Sequence, residues 1–226
     1  MIRERIPPMR LTPFLIAATA CSFLFAAETI KTPIDNDDVR VLDVVVQPHE
    51  KTKMHEHKAN RVMIYKNAGS QDFEFADGKK SILKFKEGQV LWSPGGGAHA
   101  AAVSTPNPVG IIEIELKKPG AGKKVTTALD PLKVDTKHYK LEFENDQVRV
   151  FRVHFGAHEA APLHEHQLNR IMVYLTDAKA RVTTVDGKVD ETPRKAGDIM
   201  QGGAGKHSEL NTLDKPVEVI VVELKY

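Results

Sequence analysis

The sequence predicts an all-β protein built from two tandem barrels, and two observations indicate this fold class. The phrase "HEHKANRVMIY" at 55–65 returns as "HEHQLNRIMVY" at 164–174, an offset of 109 residues. A period this long means two copies of a whole domain rather than a solenoid. Each copy also consists of short runs rich in Val and Ile that are separated by turn residues. Such runs, almost without helical patterning, imply an antiparallel sandwich or barrel in each half.

The expected strands alternate with turns in the same order in both copies. Asp-Gly pairs at 77–78 and 186–187 lie between extended runs, a pattern that predicts a hairpin in each copy. The strand candidates of copy one are 39–46, 61–66, 72–78, 82–85, 89–93 and 109–116, and copy two repeats the pattern with "VRVFRVHF", "ARVTTVDG" and "VEVIVVEL".

The repeat divides the chain into a first barrel at 34–119 and a second barrel at 140–226. Between them, residues 120–139 are predicted to form a linker that contains Gly, Pro and Lys, with one helical turn near "TALDPL".

The first 26 residues differ in composition from the rest of the chain. "MIRERIPPMR" carries three arginines, an apolar run follows, and the sequence turns polar after Ala26. A cationic head, a short apolar run and small residues before a polar segment are typical of a secretory signal peptide. The run is too short to favour a membrane span. The sequence therefore predicts cleavage near Ala26 and a secreted or periplasmic protein.

Cys21 is the only cysteine, and it lies within this predicted signal peptide. A lipidated cysteine usually follows a large aliphatic residue three positions back, but Ala18 stands there and "SFLFAA" follows. The sequence therefore predicts no lipoprotein anchor. The remaining chain has no cysteine, so it uses neither disulfides nor thiolates.

Charge excludes two classes of partner. The 32 Lys and Arg and 30 Asp and Glu include three arginines and one glutamate in the first 26 residues, so the rest balances at 29 of each sign. A neutral chain without a basic block has no electrostatic footprint for nucleic acid or for an anionic membrane.

Eight of the ten histidines fall on matched positions of the two copies. Residues i and i+2 of a strand share a face, so each His-Glu-His places two imidazoles side by side and turns its glutamate away. A third histidine about forty residues later can join them from another strand. Three neutral imidazoles facing one point make a site for a divalent transition metal. The matched pairs are His49 with His158, His55 with His164, His57 with His166, and His99 with His207.

These motifs resemble those of the cupin superfamily of small β-barrels. The first cupin motif runs Gly, five residues, His-x-His, three or four residues, Glu, six residues, Gly; "HEKTKMHEHKANRVMIYKNAG" and "HEAAPLHEHQLNRIMVYLTDA" follow its spacing. The second motif, Gly, five residues, Pro-x-Gly, two residues, His, three residues, Asn, resembles "GQVLWSPGGGAH" and "GDIMQGGAGKHSELN". The resemblance covers nearly the whole chain after residue 26 and implies a two-barrel protein of jelly-roll (double-stranded β-helix) folds.

Both copies depart from the family at its glutamate ligand. The expected positions hold Arg61 or Val62 in copy one and Arg170 or Ile171 in copy two. The resemblance therefore implies a metal shell of three histidines in each barrel, with iron as the first metal to test and zinc, manganese or nickel as alternatives. The six predicted ligands are His55, His57, His99, His164, His166 and His207.

Several other residues have two interpretations. Arg61 and Arg170 either anchor a substrate carboxylate or are exposed arginines that pair with the glutamate of the His-Glu-His. Tyr65 and Tyr174 line one face of their strand, as pocket wall or core. His49 and His158 stand where the family has a glycine, which places them in turns at the barrel rim.

The sequence leaves three functions open. The first is a metal-dependent enzyme acting on a small anionic substrate, for which the resemblance makes an Fe(II)-dependent dioxygenase the first class to test. The second is a non-catalytic metal- or small-molecule-binding cupin, and the third is a ligand barrel without metal. Turnover, substrate and a possible homo-oligomer are not determined by the sequence, because one fold supports many chemistries.

Overall fold

The computed structural model describes residues 28–226; the predicted signal peptide and Cys21 lie outside the described residues. Within 28–226 the chain forms seventeen strands and one short helix, in agreement with the predicted all-β class. The first half contains β1 (Glu28–Asp35), β2 (Val39–Val46), β3 (Arg61–Tyr65), β4 (Gly69–Phe75), β5 (Lys80–Phe85), β6 (Val90–Ser93), β7 (His99–Val103) and β8 (Val109–Leu116). The second half contains α1 (Pro131–Val134), β9 (Tyr139–Glu144), β10 (Val148–Phe155), β11 (Ala160–His166), β12 (Arg170–Tyr174), β13 (Ala180–Thr184), β14 (Val189–Asp190), β15 (Ile199–Gly202), β16 (Gly205–Asn211) and β17 (Val217–Leu224).

Each half folds into two antiparallel sheets that enclose a barrel. In the first half, the five-stranded sheet β1-β2-β8-β3-β6 faces the three-stranded sheet β5-β4-β7. In the second half, β15-β12-β17-β10-β9 faces β11-β16-β13-β14. Strands β4 and β5 form the predicted hairpin, whose Gly78 has φ +82°. The two halves are therefore two jelly-roll barrels in tandem.

The outer faces of the two five-stranded sheets pack against each other. Strands β2, β3 and β8 of the first sheet and β10, β12 and β17 of the second contribute alternate residues to one continuous core. We call this cluster the inter-barrel core. Its buried members are Val39, Val41, Val62, Ile64, Val90, Ile112, Ile114, Leu116, Val148, Val150, Ile171, Val173, Ile220, Val222 and Leu224.

The inner faces of the same strands form the interior of each barrel. In barrel one, Leu42, Val44, Met63 and Tyr65 pack with Phe85 of the opposite sheet. In barrel two, Phe151, Val153 and Val221 pack with Tyr139 and Ala161. Both faces of these strands are buried, so residues on either face can be apolar: in "VGIIEIEL", Ile111 lies inside barrel one and Ile112 lies in the inter-barrel core.

The segment between the barrels packs on barrel two. Its helix α1 begins after Asp130, whose side chain accepts a hydrogen bond from the backbone N–H of Leu132, and Pro131 occupies the first helical position. Just before α1, Leu129 O accepts a hydrogen bond from the Glu165 backbone N–H of β11 at 2.8 Å. Over residues 28–226, no helix has the length and apolar character needed to cross a membrane.

Replacement of Ile112 by alanine is expected to lower the free energy of unfolding by about 2–5 kcal/mol, because Ile112 is fully buried in the inter-barrel core. Urea unfolding followed by the fluorescence of Trp92, the only tryptophan of the chain, measures the change. The matched control is Ile82→Ala: Ile82 is 67% exposed, so the expected change is below about 0.5 kcal/mol. Equal losses of unfolding free energy in the two variants would contradict the burial of Ile112 in the inter-barrel core.

Candidate metal centres

Barrel one brings His55, His57 and His99 together. One ring nitrogen of each lies within 4.8 Å of the corresponding nitrogens of the other two. The ring centroids of His55 lie 4.9 Å from His57 and 4.8 Å from His99, and those of His57 and His99 are 5.7 Å apart. This spacing is suited to one metal ion bound between the three rings.

Barrel two repeats the arrangement with His164, His166 and His207. The ring centroids of His164 lie 5.2 Å from His166 and 4.4 Å from His207, and those of His166 and His207 are 5.4 Å apart. His164 and His207 are direct cross-strand neighbours in the β11–β16 ladder. The register of β11 against β16 therefore places His207 beside His164 and His166.

The predicted His-x-His strand is regular only in barrel two. In barrel one, His55 and His99 form an isolated bridge, with backbone hydrogen bonds of 2.9 and 2.8 Å in the two directions. The turn before His99 contains one residue more than in copy two, and its Gly96 and Gly97 have positive φ. Gly96 N–H donates to His57 O at 2.7 Å, so a hydrogen bond from the glycine turn stands where barrel two has strand pairing at His166.

Hydrogen bonds fix the orientation of all three rings in barrel one. His55 Nδ1 donates to Lys53 O at 2.8 Å and His99 Nδ1 donates to Gly97 O at 3.1 Å, since a carbonyl can only accept. His57 Nδ1 lies 3.3 Å from Glu115 Oε1. With the proton on Nδ1, each Nε2 carries a free lone pair, as in a histidine prepared to bind a metal.

Two rings of barrel two are fixed in the same way. His164 Nδ1 donates to Pro162 O at 2.9 Å, and His166 Nδ1 lies 2.7 Å from Glu223 Oε1. Burial lowers the pKa of His166 to about 2, so its imidazole is neutral at physiological pH. A neutral ring with its proton on Nδ1 offers Nε2 to a cation.

The two centres differ in exposure. His164, His166 and His207 are 0%, 3% and 7% exposed, whereas the three histidines of barrel one are half-buried. The segment before β9 covers the outer side of β11, where Thr127 Oγ1 donates to Glu165 Oε2. Barrel two therefore holds its triad in a drier environment.

Each centre also has a carboxylate that sequence reasoning missed. Glu113 of β8 lies 3.8 Å from His57 Nδ1, and Glu209 of β16 lies 2.8 Å from His207 Nε2. Neither occupies the family's glutamate position. The repeat aligns Glu113 with Val221, and Glu209 with Ala101. A carboxylate two residues after the third histidine shares its face, which was the one available indication of Glu209.

Arg61 and Arg170 are buried on β3 and β12 and not exposed in turns. Arg61 Nη1 donates to Glu113 Oε2 at 2.8 Å and Nη2 donates to Ser93 Oγ at 3.1 Å. Arg170 Nη1 donates to Gly203 O, and within 28–226 no carboxylate forms an ion pair with its guanidinium. The exposed alternative is therefore wrong for both arginines, since neither pairs with the glutamate of its His-Glu-His.

A cavity lies beside each triad within its barrel, and all three histidines of barrel one but only His166 and His207 of barrel two line it. The barrel-one cavity has a volume of about 490 Å³ and is lined by Arg61, Tyr65 and Trp92 in addition to the triad. The barrel-two cavity has a volume of about 410 Å³, and Arg170 and Tyr174 line it with Arg194. Tyr65 also stacks on Phe85 with centroids 3.9 Å apart, so it serves as both core and wall.

His49 and His158 lie away from the triads, in exposed turns. Both have left-handed backbones, with φ of +60° and +56°, the conformation for which the family uses glycine. His158 Nε2 lies 2.7 Å from Asp214 Oδ1, an exposed pair.

A buried chain of charges connects the inter-barrel segment to the second triad. Arg149 Nη2 donates to Asp130 Oδ1 at 2.6 Å, and Arg149 Nη1 donates to Glu223 Oε2 at 3.3 Å. Glu223 in turn accepts from His166, and burial raises its pKa to about 7. Its counterpart Glu115 contacts His57 in the same way, but the arginine that pairs with it is Arg40, at 3.9 Å and with a side chain 48% exposed. The network therefore fixes the His166 ring more firmly than the corresponding ring of barrel one.

The architecture is the cupin fold, with two jelly-roll barrels that each carry a histidine triad. No protein-family model matches the sequence, and no curated protein matches it. Solved structures with the same fold include AerE from Microcystis aeruginosa, with a TM-score of 0.67 and 12% identity over 89% of this chain and 94% of that chain. A cupin 2 conserved barrel domain protein from Leptotrichia buccalis has a TM-score of 0.56 and 13% identity over 88% and 90%. A variant of Bacillus subtilis oxalate decarboxylase has a TM-score of 0.61 and 14% identity, over 87% of this chain and 72% of that chain.

Arg149→Met is expected to lower the free energy of unfolding by about 3–5 kcal/mol, because it leaves Asp130 and Glu223 buried without their cation. Thermal and urea unfolding of the metal-free protein measure the loss. The matched control is Arg181→Met, which removes a 51% exposed arginine paired with Glu191 and should cost no more than about 1 kcal/mol. A loss as small as that of the control would show that the buried network contributes little.

Proposed function

We propose that each barrel binds one divalent transition metal ion through its three histidines. The observation that carries this proposal is the orientation of the rings: five of the six Nδ1 atoms face an oxygen acceptor, which leaves Nε2 free at the point where the rings meet. In barrel one, the three Nε2 lone pairs repel one another unless a cation lies between them. The donor set fits such an ion, since neutral imidazoles favour iron, zinc, nickel and copper.

We further propose that barrel two acts on a small molecule that carries a carboxylate. Arg170 lies buried in the cavity wall and its guanidinium has no carboxylate partner within the described chain. A planar guanidinium binds a carboxylate with two parallel hydrogen bonds. The solved structures of the same fold include an enzyme named for a small carboxylate, oxalate decarboxylase, which supports the same ligand class for this chain.

The residues of barrel two would position such a substrate. Arg170 would hold its carboxylate, Met172 and Val221 would form the apolar wall, and the covered triad would limit access of water. A divalent iron ion in the triad would supply redox chemistry with dioxygen, so the dioxygenase class is the first to test. Manganese is a second metal to test, because the oxalate decarboxylase of Bacillus subtilis is described with Mn(II) centres.

Barrel one favours a second function, the binding of metal without turnover. Glu113 and Ser93 accept hydrogen bonds from the two Nη atoms of Arg61, so its guanidinium is already paired with a carboxylate of the chain, unlike that of Arg170. Its histidines are also more exposed than those of barrel two. We propose export for the whole chain on the basis of residues 1–26, which lie outside the described residues.

Elemental analysis of the protein, purified without a histidine tag, is expected to find about two equivalents of one transition metal. The variants His55→Ala/His57→Ala and His164→Ala/His166→Ala should each lose about one equivalent, because each removes two of the three imidazoles of one barrel. The paired variants are each other's control. Absence of metal after reconstitution with iron, manganese, zinc and nickel would contradict the proposal.

Arg170→Met is expected to weaken the binding of small carboxylates to the metal-loaded protein by about 10–100-fold, the effect of losing hydrogen bonds to a charged group. Calorimetric titration with acetate, pyruvate and benzoate measures this affinity. Arg61→Met is the matched control in barrel one, where Glu113 already holds the arginine, and should leave carboxylate affinity within about threefold. Equal losses in both variants would argue against barrel two as the substrate site.

A further inference from the structure

We propose that Glu209 is a fourth metal donor in barrel two, so that the two barrels bind metal through chemically different sets of donors. This inference rests on the proposed metal binding and goes beyond it, because the repeat of the histidines alone indicates two equivalent centres.

Glu209 lies beside two of the three rings of barrel two, those of His164 and His207. It follows His207 by two residues on β16, which places both side chains on the same face. Its Oε1 lies 2.8 Å from His207 Nε2 and 3.5 Å from His164 Nε2. The carboxylate oxygen is thus within the reach of two imidazoles that a shared ion would bind.

The contact between His164 Nε2 and Glu209 Oε1 favours a cation between the two atoms. His164 Nδ1 carries the proton that it donates to Pro162 O, so a neutral His164 has a lone pair on Nε2. That lone pair faces a carboxylate oxygen at 3.5 Å, and two acceptors at this separation repel each other. A metal ion bound by both atoms converts the repulsion into two coordinate bonds.

No arginine or lysine within residues 28–226 pairs with Glu209. Its polar neighbours are the two imidazoles and the hydroxyl of Tyr139, which lies 3.3 Å from both Glu209 Oε1 and His164 Nε2 and can donate its one proton to only one of them. Its side chain lines the cavity and is only 20% exposed. A carboxylate so far removed from water is suited to a positive charge, and a bound divalent ion would supply one.

Barrel one lacks this donor. The repeat places Ala101 at the position of Glu209, and Ala101 is 5% exposed in the cavity wall. Barrel one has two inward carboxylates, but Glu113 is held by Arg61 at 2.8 Å and Glu115 lies on the Nδ1 side of His57, at 3.3 Å. Barrel two therefore has three imidazoles and an unpaired carboxylate, a set that favours harder ions such as manganese and iron. Barrel one has three imidazoles and a neutralised carboxylate.

The test compares Glu209→Gln with the unaltered residue in a His55→Ala/His57→Ala background, in which barrel two alone binds metal. Titration with Mn(II), followed by the EPR signal of the free ion, should show an affinity at least about tenfold lower for the glutamine variant. The fine structure of the bound Mn(II) should also change, because it depends on the donors. Glu165→Gln, on the opposite face of β11 and hydrogen-bonded to Thr127, is the matched control and should bind as before.

The reciprocal variant is Ala101→Glu in a His164→Ala/His166→Ala background, in which barrel one should gain Mn(II) affinity by a similar factor. This gain does not depend on the folding of Glu209→Gln. Mn(II) affinity and fine structure that are unchanged in Glu209→Gln would overturn the assignment of Glu209 while leaving the three-histidine proposal intact. Failure of the unaltered barrel two to bind any metal would instead overturn the proposed function.

Discussion

The outer faces of the two five-stranded sheets pack on each other through Val, Ile and Leu side chains, and this apolar contact decides what every other residue of those strands can do. Because successive side chains of a strand point to opposite faces, a residue that is not in the inter-barrel core faces a cavity. On β8, for example, Ile112 and Ile114 face the other barrel while Glu113 and Glu115 face the triad. The same alternation places Arg149 and Glu223 beside His166.

The double burial also constrains the charged side chains of these strands. A strand held on both faces cannot rotate to withdraw a charged side chain, so an inward charge either pairs inside the barrel or is left for a ligand. Barrel two meets this requirement with Arg149 between Asp130 and Glu223. Barrel one meets it with Arg61 against Glu113. The two solutions leave different groups free, which is why barrels with the same triad present different cavities.

The sequence was sufficient for the β class, the tandem barrels and the grouping of the six histidines, because strand alternation and a long repeat fix which residues share a face. The sequence was not sufficient to predict the carboxylates that lie beside the triads. Glu113 and Glu209 differ from their repeat partners, Val221 and Ala101, so a comparison of the copies passes over them. Partners such as Asp130 and Arg149 depend on cross-strand packing that the spacing of residues along the chain does not contain.

The inter-barrel core has one further consequence for a chain of this kind. Its two sides are formed by corresponding residues of the two copies, such as Val39 with Val148 and Val41 with Val150. A surface that matches itself in this way is the isologous patch of a symmetric dimer. A chain with a single copy would need a second molecule to cover that patch and would fall apart on dilution. Joining the copies in one polypeptide makes the association independent of protein concentration.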